Sequence, residues 1–491
     1  MTIFELVGYI GIVALVLTFL MGYFLKNVKA YWVSFLQNFC GILFIFSGWV
    51  KAIDPLGTAF KMQQYFDQFE VVFKDTNFSF LAPVFPALNQ YATAFSMFMI
   101  IFEIVLGIML VIGAKPKFTA WAFFLLVVFF TILTGFTFLT GYVPEGVNFF
   151  SFGDWGPYQA KNMKVTDCGC FGDFIKLEPR ISFFKDIFLL IPSVLFLMHY
   201  QKFHQWFSMG THKLVMIASS VLLVLYCFNN FYWNEPHIDF RPFAIGSDIR
   251  GTKLKETEAQ SKVQVTGFLL KNIESGKTVE LTTADYMKNF ASYPKEKWET
   301  VEQIKSEPSI KPTKVSEFFL KNYDNQEVEN LLLEDTVNSI VIVSYKPYFT
   351  TRPAKKMVQD SVFYMDTIKM SDGTTKAVQS LTSVNNREVD YDEVIWEESY
   401  LAAYKNVIKP FIDEAKKNKW NVYVITAGLN KDQADALRVN TGIEGLYLTA
   451  DDILSKTIMR SNPGIMHWKD GKIINKWHYK KLPDFSAAVG K

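Results

Sequence analysis

"AFSMFMIIFEIVLGIMLVIG", residues 94–113, is twenty residues long and carries a single charge, Glu103. Crossing the hydrocarbon core of a bilayer takes about 20 apolar residues of helix, so this stretch predicts a transmembrane span. Similar apolar runs near 3–24, 34–50, 91–113, 118–141, 182–200 and 214–233 make six spans the natural number. The chain's averages hide the pattern. Half of its 491 residues are apolar and its formal net charge is +2, but Phe, Leu, Ile and Val crowd the first 233 residues while most Lys, Glu and Asp follow. The expected fold is an all-α membrane bundle joined to a soluble domain. The near-zero net charge argues against a nucleic-acid partner. The first run lacks the basic n-region and small-residue cleavage site of a signal peptide, so it is expected to stay as a span.

Three short connections, holding Lys26 and Lys29, Lys115 and Lys117, and Lys202 and Lys213, contain Lys without Asp or Glu. They read as cytoplasmic. Residues 51–90, the loop before 182 and everything after 233 are then expected on the opposite face, where disulfides persist. That face also carries Lys51, Lys61, Lys74, Lys161, Lys164, Lys176 and Arg180, spread over longer segments mixed with acids.

"DCGCFG", residues 167–172, sets Cys168 and Cys170 one residue apart in a chain of four cysteines. The spacing matches neither a zinc ribbon nor a C-x-x-C redox motif, and no nearby His completes a metal site, so no metal is expected. Two thiols this close can form a small strained ring, and strained disulfides are redox-active rather than structural. Gly169 removes the side chain that most hinders closure, and Gly172 after Phe171 gives a second permissive point where a partner cysteine can approach. Lys164 favours a thiolate here, whereas Asp167 opposes it. The alternative is that the two cysteines only pin the loop, one of them bonded to Cys227. Cys40, alone in the second span, reads as a small hydrophobe.

A charge at the depth of Glu103 costs about 2.5–3.5 kcal/mol on insertion scales, so it needs a partner or a neutral state. Lys51, Lys185 and Asp186 are the candidates. A polar cluster of these four could receive a quinone head group, relay protons, or staple the bundle. Asp54-Pro55 reads as an N-cap with a first-turn proline, opening an amphipathic helix along the membrane surface.

"GILFIFSGWVKAIDPLGTAFKM" (41–62), "IFEIVLGIMLVIGAKPK" (101–117) and "DCGCFGDFIKLEPRISFFKDIFLLI" (167–191) together resemble the DoxX/MauE family of small membrane proteins over roughly residues 1–200. The resemblance implies a four-helix core, a bacterial inner-membrane location, and envelope thiol-disulfide chemistry linked to quinones. Cys168 and Cys170 would then be the exchanging residues, supported by Gly169, Phe171, Gly172 and Asp167.

After the last span the chain exits through "FNNFYWNEPHIDFRPFAIGSDI" (228–249), and residues 234–310 read as a linker with a small β-rich unit. There VQVTGFLL and KTVELTT alternate as a hairpin about NIESG. From about 311 to 491 the strands SIVIVSY (339–345) and NVYVIT (421–426), a helix near 400–418 and the hairpin of "SNPGIMHWKDGKIINKWHY" (461–479) suggest a βαβ unit closed by a hairpin. The order resembles a thioredoxin-like α/β domain, with Pro463 at the family's cis-proline position. This sequence departs from the family where a Cys-x-x-Cys should follow SIVIVSY: it reads "KPYFTTRPAKK", and no cysteine follows Cys227. The domain cannot exchange thiols itself, and Pro463, Tyr348, Phe349 and Thr350 become a docking surface for a periplasmic or membrane protein. Residues 353–399, acidic toward their end, are expected to be a solvated excursion, the alternative being that they shape that docking surface. Two functions remain open: a membrane thiol-disulfide oxidoreductase, or a non-catalytic adaptor of an envelope export or assembly complex.

Overall fold

The computed structural model describes residues 2–26, 28–165, 168–369 and 375–490, which fall into two compact units, 1–245 and 246–491. Among the described residues of the first unit, eight α-helices run α1 (Ile3–Leu20), α2 (Tyr31–Ile53), α3 (Pro55–Lys74), α4 (Val84–Gln90), α5 (Ala92–Ile112), α6 (Pro116–Leu139), α7 (Pro179–His199) and α8 (Met209–Phe228). Among the described residues, six helices are long and apolar enough to cross a membrane, and all six coincide with the expected spans.

Local chemistry sets the helix ends. Thr2 and Glu5 form a reciprocal capping box at α1. The Asp54 carboxylate accepts from the Gly57 N–H at 3.0 Å, ahead of Pro55 at the first position of α3. Gly113, at φ +69°, ends α5 in the left-handed region. α2 and α5 form the centre, with 61% and 56% of their apolar windows buried against 28% and 17% for the outlying α1 and α8. They can approach because of small residues: a Cβ added at Gly41 or at Gly107 would collide with the other's backbone carbonyl. Leu43, Phe44, Leu106, Phe123, Leu126 and Phe196 fill the core among α2, α5, α6 and α7.

The second unit begins with α9 (Ile249–Ser261), followed by β1 (Val265–Asn272), β2 (Thr278–Thr282), α10 (Thr283–Lys288), β3 (Trp298–Lys305) and α11 (Asn330–Leu333). The expected hairpin is present as β1 and β2, and β3 pairs with the other edge of β1. α9 joins the later sheet: the N–H groups of Ile249 and Arg250 donate to the Gly471 carbonyl.

The remaining elements are β4 (Ser339–Ser344), β5 (Phe349–Lys369), β6 (Thr375–Trp396), α12 (Glu398–Ala402), α13 (Lys409–Lys417), β7 (Asn421–Thr426), α14 (Lys431–Thr441), β8 (Leu446–Thr449), α15 (Asp452–Ile458), β9 (Gly464–Lys469), β10 (Lys472–His478) and α16 (Phe485–Val489). A five-stranded sheet runs β10-β9-β4-β7-β8. β4, β7 and β8 are parallel and β9 is antiparallel, with Ile342 opposite both Val424 and Ile465. All six residues of β4 are buried, as expected of a central strand covered on both faces.

The segment expected to be a solvated excursion takes the form of paired strands whose described side chains are mostly exposed. β5 and β6 form a two-stranded ribbon paired from Phe349↔Trp396 to Lys369↔Thr375. Ion pairs cross it at Arg352–Glu393 and Lys355–Glu388, at 2.6 and 2.9 Å.

Candidate functional site

The Cys168–Cys170 loop joins α6 to α7. Gly169 and Gly172 both adopt positive φ, +64° and +52°, which lets the chain turn twice within five residues and brings the two thiols onto the same side. The Gly172 N–H donates to the Gly169 carbonyl and the Phe174 N–H to that of Phe171. Ser47 of α2 donates to the Cys170 carbonyl at 2.8 Å, and Phe171, 2% exposed, is driven into the core beside Phe46. Asp167 lies outside the described residues.

The thiols are free, and their sulfurs stand 2.9 Å apart. Cys168 Sγ is also hydrogen-bonded to the Ser182 hydroxyl, in the first turn of α7, at 2.8 Å. Together these contacts bring the Cys168 thiol down from 9.0 to about 7: the hydrogen bond with Cys170 contributes most, burial opposes it, and Ser182 and the Lys185 charge add to it. Cys170 moves the other way, well above the ordinary thiol value, because donating to Cys168 and being buried both favour its neutral form. The pair is thus divided into a thiolate-prone and a proton-holding member. Cys227 packs against Ala52, Met97, Ile100 and Ile104 and is free, as is Cys40, buried in α2, so the loop is not tied to Cys227.

Glu103 and the three charged residues expected around it form two pairs. Lys51 Nζ sits 2.7 Å from Glu103 Oε2, both nearly fully buried, with Lys51 5.1 Å from the centre of the Phe130 ring. Lys185 pairs with its neighbour Asp186, whose other oxygen accepts from Thr134 of α6 at 2.9 Å. Both pairs and both cysteines line one cavity of about 70 Å³, whose other walls are mostly apolar. Ser47, Thr134 and Ser182, on three different helices, complete the site. Among the described residues, no group of His, Cys, Asp and Glu is arranged to hold a metal ion.

In the second unit, the Asn462–Pro463 peptide is cis and Pro463 is buried. The Asn462 side chain occupies the adjacent backbone: its amide donates to the Lys346 carbonyl at 2.5 Å and its oxygen accepts from Ser344 Oγ at 2.9 Å. Of the other expected docking residues, Tyr348 is 38% exposed, Phe349 packs on Trp396 with ring centres 5.2 Å apart, and Thr350 is exposed in the ribbon.

Residues 29–144 match the family model described as Methylamine utilisation protein MauE. Searches of curated proteins and of solved structures found no match. The matched segment holds Lys51, Glu103 and Thr134 but ends before the cysteine loop and α7. With six helices able to cross a membrane and a family match spanning α2 to α6, the first unit is a MauE-like membrane region.

Proposed function

We propose that the membrane unit exchanges disulfides with cysteine-bearing envelope proteins through Cys168 and Cys170. The Cys168 thiolate attacks one sulfur of the partner's disulfide, and the partner's other sulfur leaves as a thiolate and takes up a proton. Cys170 then gives up its proton and attacks Cys168, closing the Cys168–Cys170 bond and releasing the partner's second thiol. One disulfide is consumed and one is formed, and the reverse sequence oxidises the partner. The observation carrying this reading is the 2.9 Å separation of two free sulfurs, only one of which is biased toward thiolate. The reading sets the loop and the second unit on the periplasmic face of a bacterial inner membrane. The MauE match supports a redox or methylamine-utilisation setting for the membrane region. No step passes through a quinone.

Alkylation trapping of the purified chain in graded glutathione buffers tests it. The pair should convert from dithiol to disulfide between about −180 and −300 mV. A pair that stays in one state throughout that range removes the proposal.

A second reading rests on the second unit, which has no cysteine. In it a thioredoxin-like fold serves only for attachment, and the ribbon of β5 and β6 and the surface around Tyr348 hold an export or assembly component. Site-directed crosslinking from Tyr348 and Thr350 should capture a protein, and a Cys168→Ser, Cys170→Ser chain that keeps every cellular phenotype selects this reading over exchange.

A further inference from the structure

The small cavity beneath the cysteines is lined by an oxidisable pair and a cation, which raises the question of which oxidant it admits. Its volume of about 70 Å³ admits a few water-sized molecules, since about 10–15 Å³ of such space holds one. Cys168, Cys170 and Lys185 share it with the Lys51–Glu103 pair. We infer that this cavity is a site for hydrogen peroxide, and that the cysteine pair reduces peroxide, loading itself with the disulfide it later passes on. The inference rests on the cysteine pair of the exchange reading but adds a substrate of its own.

The chemistry balances without any further cofactor. Cys168, ionised, attacks one peroxide oxygen and the O–O bond breaks. The other oxygen leaves as hydroxide and becomes water with the proton Cys168 released. Cys168 is now a sulfenic acid. The neighbouring Cys170 thiol attacks its sulfur, the hydroxyl leaves with the Cys170 proton as a second water, and the disulfide closes. Two electrons pass from the two sulfurs to the peroxide. The arrangement suits each step: Ser182 holds Cys168 as the attacking group, the Lys185 ammonium stabilises charge on the departing oxygen, and Cys170 lies within reach before the sulfenic acid meets a second peroxide.

The test uses the reduced full-length chain in detergent, with oxidation of each cysteine followed by alkylation and mass mapping. Hydrogen peroxide should oxidise the pair at least about 100-fold faster than the cysteines of the same chain unfolded in urea, and about 10-fold or more faster than cumene hydroperoxide does. The Cys170→Ser chain should accumulate a sulfenic acid on Cys168 that a dimedone probe captures. Lys185→Met should slow the peroxide step about 10-fold or more while Lys185→Arg preserves it. If peroxide reacts no faster with the folded than with the unfolded chain, or cumene hydroperoxide keeps pace, the inference is overturned. A pair that still cycles in glutathione buffers under that result leaves disulfide exchange standing and removes only the peroxide step.

Discussion

Cys168 and Ser182 are fourteen positions apart, yet their contact adds to the hydrogen bond with Cys170 that makes Cys168 the attacking sulfur. With the Cys168 thiol near 7, the rate of iodoacetamide labelling at Cys168 should rise with pH about a midpoint near 7. In the Ser182→Ala or Cys170→Ala chain that midpoint should climb toward the ordinary thiol value of about 8.5. A profile that does not move would mean these contacts do not hold the thiolate. Lys51 and Glu103 make a different kind of pair, whose energy shows mainly when it is broken. Glu103→Gln leaves a buried ammonium uncompensated and should cost about 3–5 kcal/mol, while the Lys51→Met, Glu103→Leu chain should recover most of that loss. Thermal unfolding of the detergent-solubilised chain measures both, and equal losses in the single and double variants would contradict the argument. The cysteine spacing and the lone acid in an apolar run were legible because both are local in sequence. Ser47, Thr134 and Ser182 were not, since a hydroxyl in an apolar helix gains meaning only from which helix crosses it.

At the scale of elements, the six spans were legible because length and hydropathy alone decide them. The hairpin of β1 and β2 was legible from alternation about an Asn-Gly-flanked turn. Other elements were not: α14, β8 and α15 fall between two well-marked strands and are too short, at 11, 4 and 7 residues, for their periodicity to announce them. The ribbon escaped for another reason. Its strands, Phe349–Lys369 and Thr375–Trp396, are far longer than the usual 3–10 residues, reach about 65 Å at about 3.3 Å per residue, and carry charges where a core strand carries apolar residues. Among the described residues, its base is the part built into a core, where Phe349 and Trp396 pack beside Tyr400. Replacing residues 353–392 by Asn-Gly keeps that base and closes it with a favoured hairpin turn. The melting temperature of the second unit should then change by no more than about 3 °C. Loss of a crosslinked partner in the same variant would locate attachment on the ribbon, and collapse of the fold would show that the ribbon supports the sheet.

For the whole molecule, the join at 245/246 follows a change in what each unit is soluble in. The first unit's outward residues, such as Phe19, Leu125, Phe188 and Leu222, are large and apolar and call for lipid. The second buries Ile340, Ile342, Val424 and Ile465 inside a charged exterior and calls for water. Each has its own core, so the second should respond to pH by itself. His467, in β9, stacks on Trp420 with its Nε2 3.0 Å from Asn338 Oδ1. Burial, with some help from Lys469, lowers its pKa from 6.5 to about 4. Between those values the unfolded chain binds a proton there that the folded chain refuses, so stability rises with pH through this window and is lost as pH falls from about 6.5 toward 4. Residues 246–491, expressed alone, should therefore melt several degrees lower at pH 4.5 than at pH 7, each kcal/mol being worth about 2–4 °C in a unit of this size. In the His467→Gln variant the amide needs no proton at either pH, and the drop should shrink. An undiminished drop would assign the acid sensitivity to the carboxylates instead of to this ring.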